Sequence, residues 1–176
     1  FTNLPGGLTA ALLSAFSVLF MYLVAASRLS NKAAVLVAVV FGFGTPVWAV
    51  AADAMWPHTI TVFGIAGMAW AASKDRWWLV GLFGGIALTG RVHTALIVAI
   101  LGLGVALVRR RPDIVFKTAL PSAAILGVTV LWNHWLYDSW NPTGGYKIDA
   151  STDMGERYSS LLVNELGIWI APDRGI

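Results

Sequence analysis

Apolar positions in this chain do not alternate with polar ones; they run on in long unbroken stretches. Polar breaks fall at Arg28–Lys32, at "ADAMWPH" (52–58), at Lys74–Arg76 and at Arg109–Asp113. The apolar segments between them recur at lengths near ~20 residues, the spacing of a polytopic helical membrane protein. The pattern predicts spans over Leu8–Ser27, Ala33–Val50, Pro57–Ser73 and Ile114–Leu136. Pro57 suits the first turn of a helix, where its missing N–H costs nothing, and pushes Trp56 toward extended backbone.

Trp77–Val108 is too long for one crossing. As a single helix it would run roughly 48 Å at ~1.5 Å per residue, against a hydrocarbon core of about 30 Å. It would also carry Arg109–Arg111 to the side opposite Lys74 and Arg76. A break near "LTGRVH" (88–93) makes two short legs and returns both basic clusters to one side. The expected fold is therefore all-α: a transmembrane bundle of about four full spans plus a short-legged helical hairpin. The membrane region covers 1–136. An extracytoplasmic region with an amphipathic helix covers 137–176, where Pro142, Gly144 and Gly145 mark turns.

Composition agrees with that class. Of 176 residues, 57% are hydrophobic and 12% charged, and the mean hydropathy is +0.72. Without cysteine, nothing follows about disulfides. Charge then orients the bundle. The side with 28–32, 74–76 and 109–117 gathers eight bases against two acids, and the other gathers four bases against seven acids. By the positive-inside rule the first side is cytoplasmic, in an inner membrane, and the polar loops face outward. The chain is also expected to be an internal piece of a larger membrane protein, since no initiator Met opens it and no helix closes it.

Candidate chemistry collects on the outward side. Asp53 is either a solvated loop acid or a base or ligand in a partly apolar pocket. His58 either caps a helix or sits where the helix dipole disfavours its protonation and welcomes an anion. Trp48 and Trp56 suit an interface belt or a stacking surface for a sugar ring. Arg91, with His93 beside it, has no acid within fifteen residues in sequence; it serves either lipid headgroups or a bound phosphate. Lys147 in "GGYK" and Arg174 in "PDRG" stand out among the tail charges. A divalent metal at Asp53 and His58 is left open, and no other cofactor is indicated. The glycines at 64, 67, 81, 85, 102 and 104 read as helix-packing positions. There is no P-loop, dinucleotide fingerprint, HExxH or GxSxG, and no basic-aromatic face for nucleic acid.

The order of motifs resembles a known family. "FGFGTPVWAVAADAMWPHTI", "WWLVGLFGGIALTGRVHTALIV", "RRRPD", "PTGGY" and "LGIWIAPDRGI" are together similar to GT-C membrane glycosyltransferases, in the bacterial branch related to dolichyl-phosphate-mannose protein mannosyltransferases. The resemblance covers most of residues 40–176. It implies transfer of a sugar from a polyprenyl-phosphate carrier, on the outer face of the cell membrane, to a glycan, lipid or protein acceptor. It implies that Asp53, or His58 beside it, fills the family's second acidic position, with the main catalytic acid lying before Phe1. Arg91 matches the arginine of a T-R-P hairpin in which Val92 replaces proline, and Arg174 matches the arginine of a P-x-R-G segment. Tyr146, Lys147, Trp56 and His93 complete the expected substrate-binding set. Two other readings compete: a transporter or flippase for lipid-linked sugar, and a non-catalytic membrane subunit.

Overall fold

A computed structural model of the chain describes residues 4–52 and 57–142. Every regular element among them is helical: α1 (Leu4–Ala26), α2 (Asn31–Phe43), a π turn (Val47–Ala51), α3 (Pro57–Ser73), α4 (Trp77–Gly90), a 3-10 turn (Val92–Thr94), α5 (Ala95–Arg109) and α6 (Asp113–Tyr137). Among the described residues, three stretches are long and apolar enough to cross a membrane: Pro5–Ala26, Val92–Arg109 and Asp113–Tyr137. That is the property of an integral membrane protein.

The packing is inverted relative to a water-soluble bundle. Val108, Trp135, Phe116 and Ile100 are among the most exposed side chains, whereas Ala10, Ala34, Ser17, Thr59, Ala71 and Ala87 are buried. Small residues at the contacts let backbones approach closely, which is how helices associate when the surroundings are as apolar as leucine. A methyl group placed on Gly81 would stand 2.9 Å from the Lys117 carbonyl. Pro121 has no N–H to offer that carbonyl, and α6 runs through it without interruption. The Ser122 hydroxyl then donates to the Gly81 carbonyl at 2.7 Å, adding a polar tie to the α4–α6 seam.

Contacts of this kind fix the directions of the helices. Gly81, Gly84 and Gly85 meet Thr118, Ser122 and Ile125, so α4 and α6 run parallel. Gly64 meets Ala87 and Gly90 meets Pro57, so α3 and α4 are antiparallel. The α4–α5 pair forms the expected hairpin: Gly84 faces Val98, and the Arg109 guanidinium lies 5.6 Å from the Trp77 ring centre. On the other flank Phe20 of α1 stacks on Trp70 at 5.1 Å and meets Phe83 edge-on at 5.2 Å, joining α1, α3 and α4. One end of the bundle thus carries 44–52, 57–58, 90–94 and 137–142, and the opposite end carries 27–30, 74–76 and 109–113.

Several expectations hold and several need correction. Pro57–Ser73 begins and ends where the pattern put it, and the hairpin breaks at Arg91. The stretch Ala33–Val50 is not one helix. It stops at Phe43, and the chain resumes as a π turn after Gly44, Thr45 and Pro46. Pro46 lacks the N–H that would continue the ladder, and the Thr45 hydroxyl bonds back to the Phe41 carbonyl at 2.6 Å, both features that end a helix. The hairpin legs also differ from expectation. α4 has 14 residues, but the 3-10 turn lengthens the second leg to 18, enough for a crossing. Gly104 packs against nothing within 4 Å, unlike the other glycines in the expected packing set.

Candidate functional site

The break between α4 and α5 builds the first polar cluster. α4 ends at Gly90 because Arg91 turns to extended backbone, φ −149° and ψ 110°. Thr94, buried, closes the next turn by donating from its hydroxyl to the Arg91 carbonyl at 2.7 Å. Gly90 itself lies against the first turn of α3: a methyl there would stand 2.6 Å from both the Pro57 carbonyl and the Thr61 hydroxyl. Only glycine permits that approach, and it brings Arg91 beside the next residue of α3.

The neighbour is His58. Arg91 Nη2 lies 2.8 Å from His58 Nε2 and 3.2 Å from Nδ1. A guanidinium has donors only, so an imidazole that accepts from it must be neutral. Arg91 Nε is buried and has no hydrogen-bond partner among the described residues. Arginine normally holds a carboxylate or phosphate through two parallel N–H groups, so this guanidinium keeps donor capacity while His58 occupies one nitrogen. The same end is pinned from below. The Thr59 hydroxyl donates to the Ala51 carbonyl at 2.9 Å, fixing the π turn against the first turn of α3.

His93 stands exposed on the 3-10 turn, and its side chain makes no hydrogen bond to any described residue. Asp53, Trp56, Tyr146, Lys147 and Arg174 lie outside the described residues, as does the expected amphipathic helix in 137–176. Among the described residues no group of three histidines or carboxylates gathers as a metal site.

At the same end, the C-terminus of α6 carries a cluster that the hydropathy pattern hides. Asp138 adopts a left-handed conformation, φ 51°, and turns 139–142 back along the helix. Buried Asn133 donates to the carbonyls of Asn141 and Pro142 at 3.3 and 2.7 Å. The His134 ring stacks on Trp140 at 3.9 Å and 15°, and its Nδ1 lies 3.7 Å from an Asp138 oxygen. The signal in the sequence was "NH" at 133–134, two polar residues near the end of an apolar span.

The opposite end is electrostatic. Asp75, at φ 56°, accepts from Trp77 Nε1 at 2.8 Å, from Arg109, and from Arg111 at 3.2 Å. Arg111 also reaches Asp113 at 3.1 Å, and Lys117 reaches Asp113 at 2.7 Å. The Trp77 hydrogen bond, followed by Arg111 and Arg109, holds the Asp75 carboxyl below its usual range. Asp113 and then Asp75 hold the Arg111 guanidinium above its own. Charge counting placed these groups on one side; the ion pairs join the 74–76 loop to the 109–113 loop.

No family model, curated protein or solved structure matches this chain.

Proposed function

We propose that this chain is part of a membrane glycosyltransferase that moves a sugar from a polyprenyl-phosphate carrier to an acceptor at the outer face of the cytoplasmic membrane. The observation that carries the reading is the Arg91–His58 pair, with the Arg91 Nε unpartnered among the described residues. It lies at the end of the bundle away from the arginine-rich loops, which the positive-inside rule assigns to the outside.

The chemistry asks little more of this end. The acceptor oxygen attacks the anomeric carbon, the bond from that carbon to the phosphate oxygen breaks, and the electron pair leaves with the phosphate. The acceptor proton goes to a base, for which Asp53 and His58 are the candidates. Arg91 meets the charge that grows on the departing phosphate, the task at which a preorganised cation is most effective. His93, Lys147, Arg174, Trp56 and Tyr146 complete the proposed substrate contacts. A divalent cation at Asp53 and His58 remains part of the proposal rather than a requirement.

The test is donor turnover in proteoliposomes, followed as release of polyprenyl phosphate from labelled polyprenyl-phosphate sugar. Arg91→Ala is expected to lower it by about 100-fold, the usual scale for a lost transition-state charge contact. Unchanged turnover in that variant rejects the reading. A lipid-linked sugar transporter is the second reading, favoured by the break in the helix at Gly44–Pro46, because interrupted helices line transporter sites. Movement of intact labelled donor across the bilayer, without release of its phosphate, would decide for it.

A further inference from the structure

One described cavity runs along the α5–α6 seam, from Leu88 and Ala95 toward the basic loops. It is a groove of about 390 Å³ between α5 and α6, walled by Ala95, Ala99 and Leu103 on one side and Val115, Ala119 and Ala123 on the other. Its lining is almost wholly apolar. One end reaches Leu103 and Val115, which lie one to two helical turns from the 109–111 loop.

That loop belongs to a surface with more cations than its acids can occupy. Residues 74–76 and 109–117 hold six bases and two acids. Asp75 is taken by Arg109 and Arg111, and Asp113 by Arg111 and Lys117. Lys74, Arg76 and Arg110 are exposed, and their side chains meet no acid among the described residues. The Asp75 ion pairs join the two loops; in sequence Lys74 and Arg76 flank Asp75, and Arg110 lies between its two arginine partners. The left-handed backbone of Arg110, φ 53°, ends α5 at this point. Trp78, half exposed beside them, suits the headgroup level of a bilayer.

We propose that this end of the bundle binds an anionic phospholipid, with its phosphate held by Arg110, Lys74 and Arg76 and one acyl chain lying in the α5–α6 groove. Clustered lysines and arginines at a helix end attract anionic headgroups, and the adjoining apolar channel gives the site a chain-length dimension that surface attraction lacks. The proposal rests on the membrane character of the chain and is independent of any glycosyl transfer.

The experiment uses the full chain in phosphatidylcholine nanodiscs with and without phosphatidylglycerol, counting retained lipids by native mass spectrometry after release. Phosphatidylglycerol is expected to be retained preferentially, and added salt to weaken that preference. Replacing Lys74, Arg76 and Arg110 together by alanine is expected to lower the preference on the order of 100-fold, roughly fivefold per base. Arg110→Ala alone serves if the triple variant melts early. Ala123→Trp, which fills the groove, is expected to reduce retention while the three bases stay in place; Ala99→Phe repeats that test from the α5 wall. Equal retention of the two lipids overturns the site. So does competition by glycerol 3-phosphate as effective as that by the whole lipid, since the groove would then contribute nothing.

Discussion

Arg91 and His58 are 33 residues apart in sequence, and the Arg91 guanidinium lies 2.8 Å from the His58 ring. The contact exists because α3 and α4 are antiparallel and Gly90 lets their ends touch. Its consequence is that His58 sets the resting position of the one described cation at that end whose donors are incompletely used.

Variants of His58 should therefore act through Arg91. His58→Gln retains an acceptor for Arg91 and is expected to leave donor KM unchanged, any loss of a base showing in kcat instead; His58→Leu removes the acceptor and should raise donor KM on the order of tenfold, about one hydrogen bond. If Leu and Gln give the same donor KM, the imidazole does not position the guanidinium.

Gly90→Ala tests the approach itself. The added methyl would collide with the Pro57 carbonyl and the Thr61 hydroxyl, and a clash in a packed seam costs about 1–3 kcal/mol. Gly104→Ala meets nothing and should be neutral or stabilise the helix by up to ~1 kcal/mol. Thermal melting in detergent separates them: Gly90→Ala falls in Tm and Gly104→Ala does not.

Acid should open the ion-paired end. The Asp75 pKa is lowered from 3.8, chiefly by the Trp77 hydrogen bond and then by Arg111 and Arg109. A carboxylate with a depressed folded pKa contributes stability above its unfolded pKa and loses it as pH falls through the folded value. The contribution is thus intact at neutral pH and fades below about 3.8. Tryptophan fluorescence during acid titration should show a transition there that Asp75→Asn lacks.

Asn133→Ala removes two hydrogen bonds that hold the return of the chain at 141–142. Each is worth ~1 kcal/mol, so hydrogen exchange at the 139–141 amides should quicken while the middle of α6 stays protected. Unchanged exchange there would mean that the His134–Trp140 stack holds the return alone.

The sequence by itself determined the class, the position of α3 and the break at Arg91. Long charge-free runs demand helices in lipid, Pro57 marks a start, and a 32-residue apolar run cannot be one crossing. It also placed both basic clusters at one end, because charge asymmetry is a property of loops and needs no contacts. Hydropathy could not see the end of α2 at Gly44–Pro46, since that break is a backbone event set among apolar side chains. It named Arg91 and His58 as separate candidates and gave no reason to pair them. Pairing, like the choice of Asp75 as partner to Arg109 and Arg111, was decided only by tertiary structure: glycine-lined seams fix which turns of neighbouring helices lie level, and residues distant in sequence meet where those turns align.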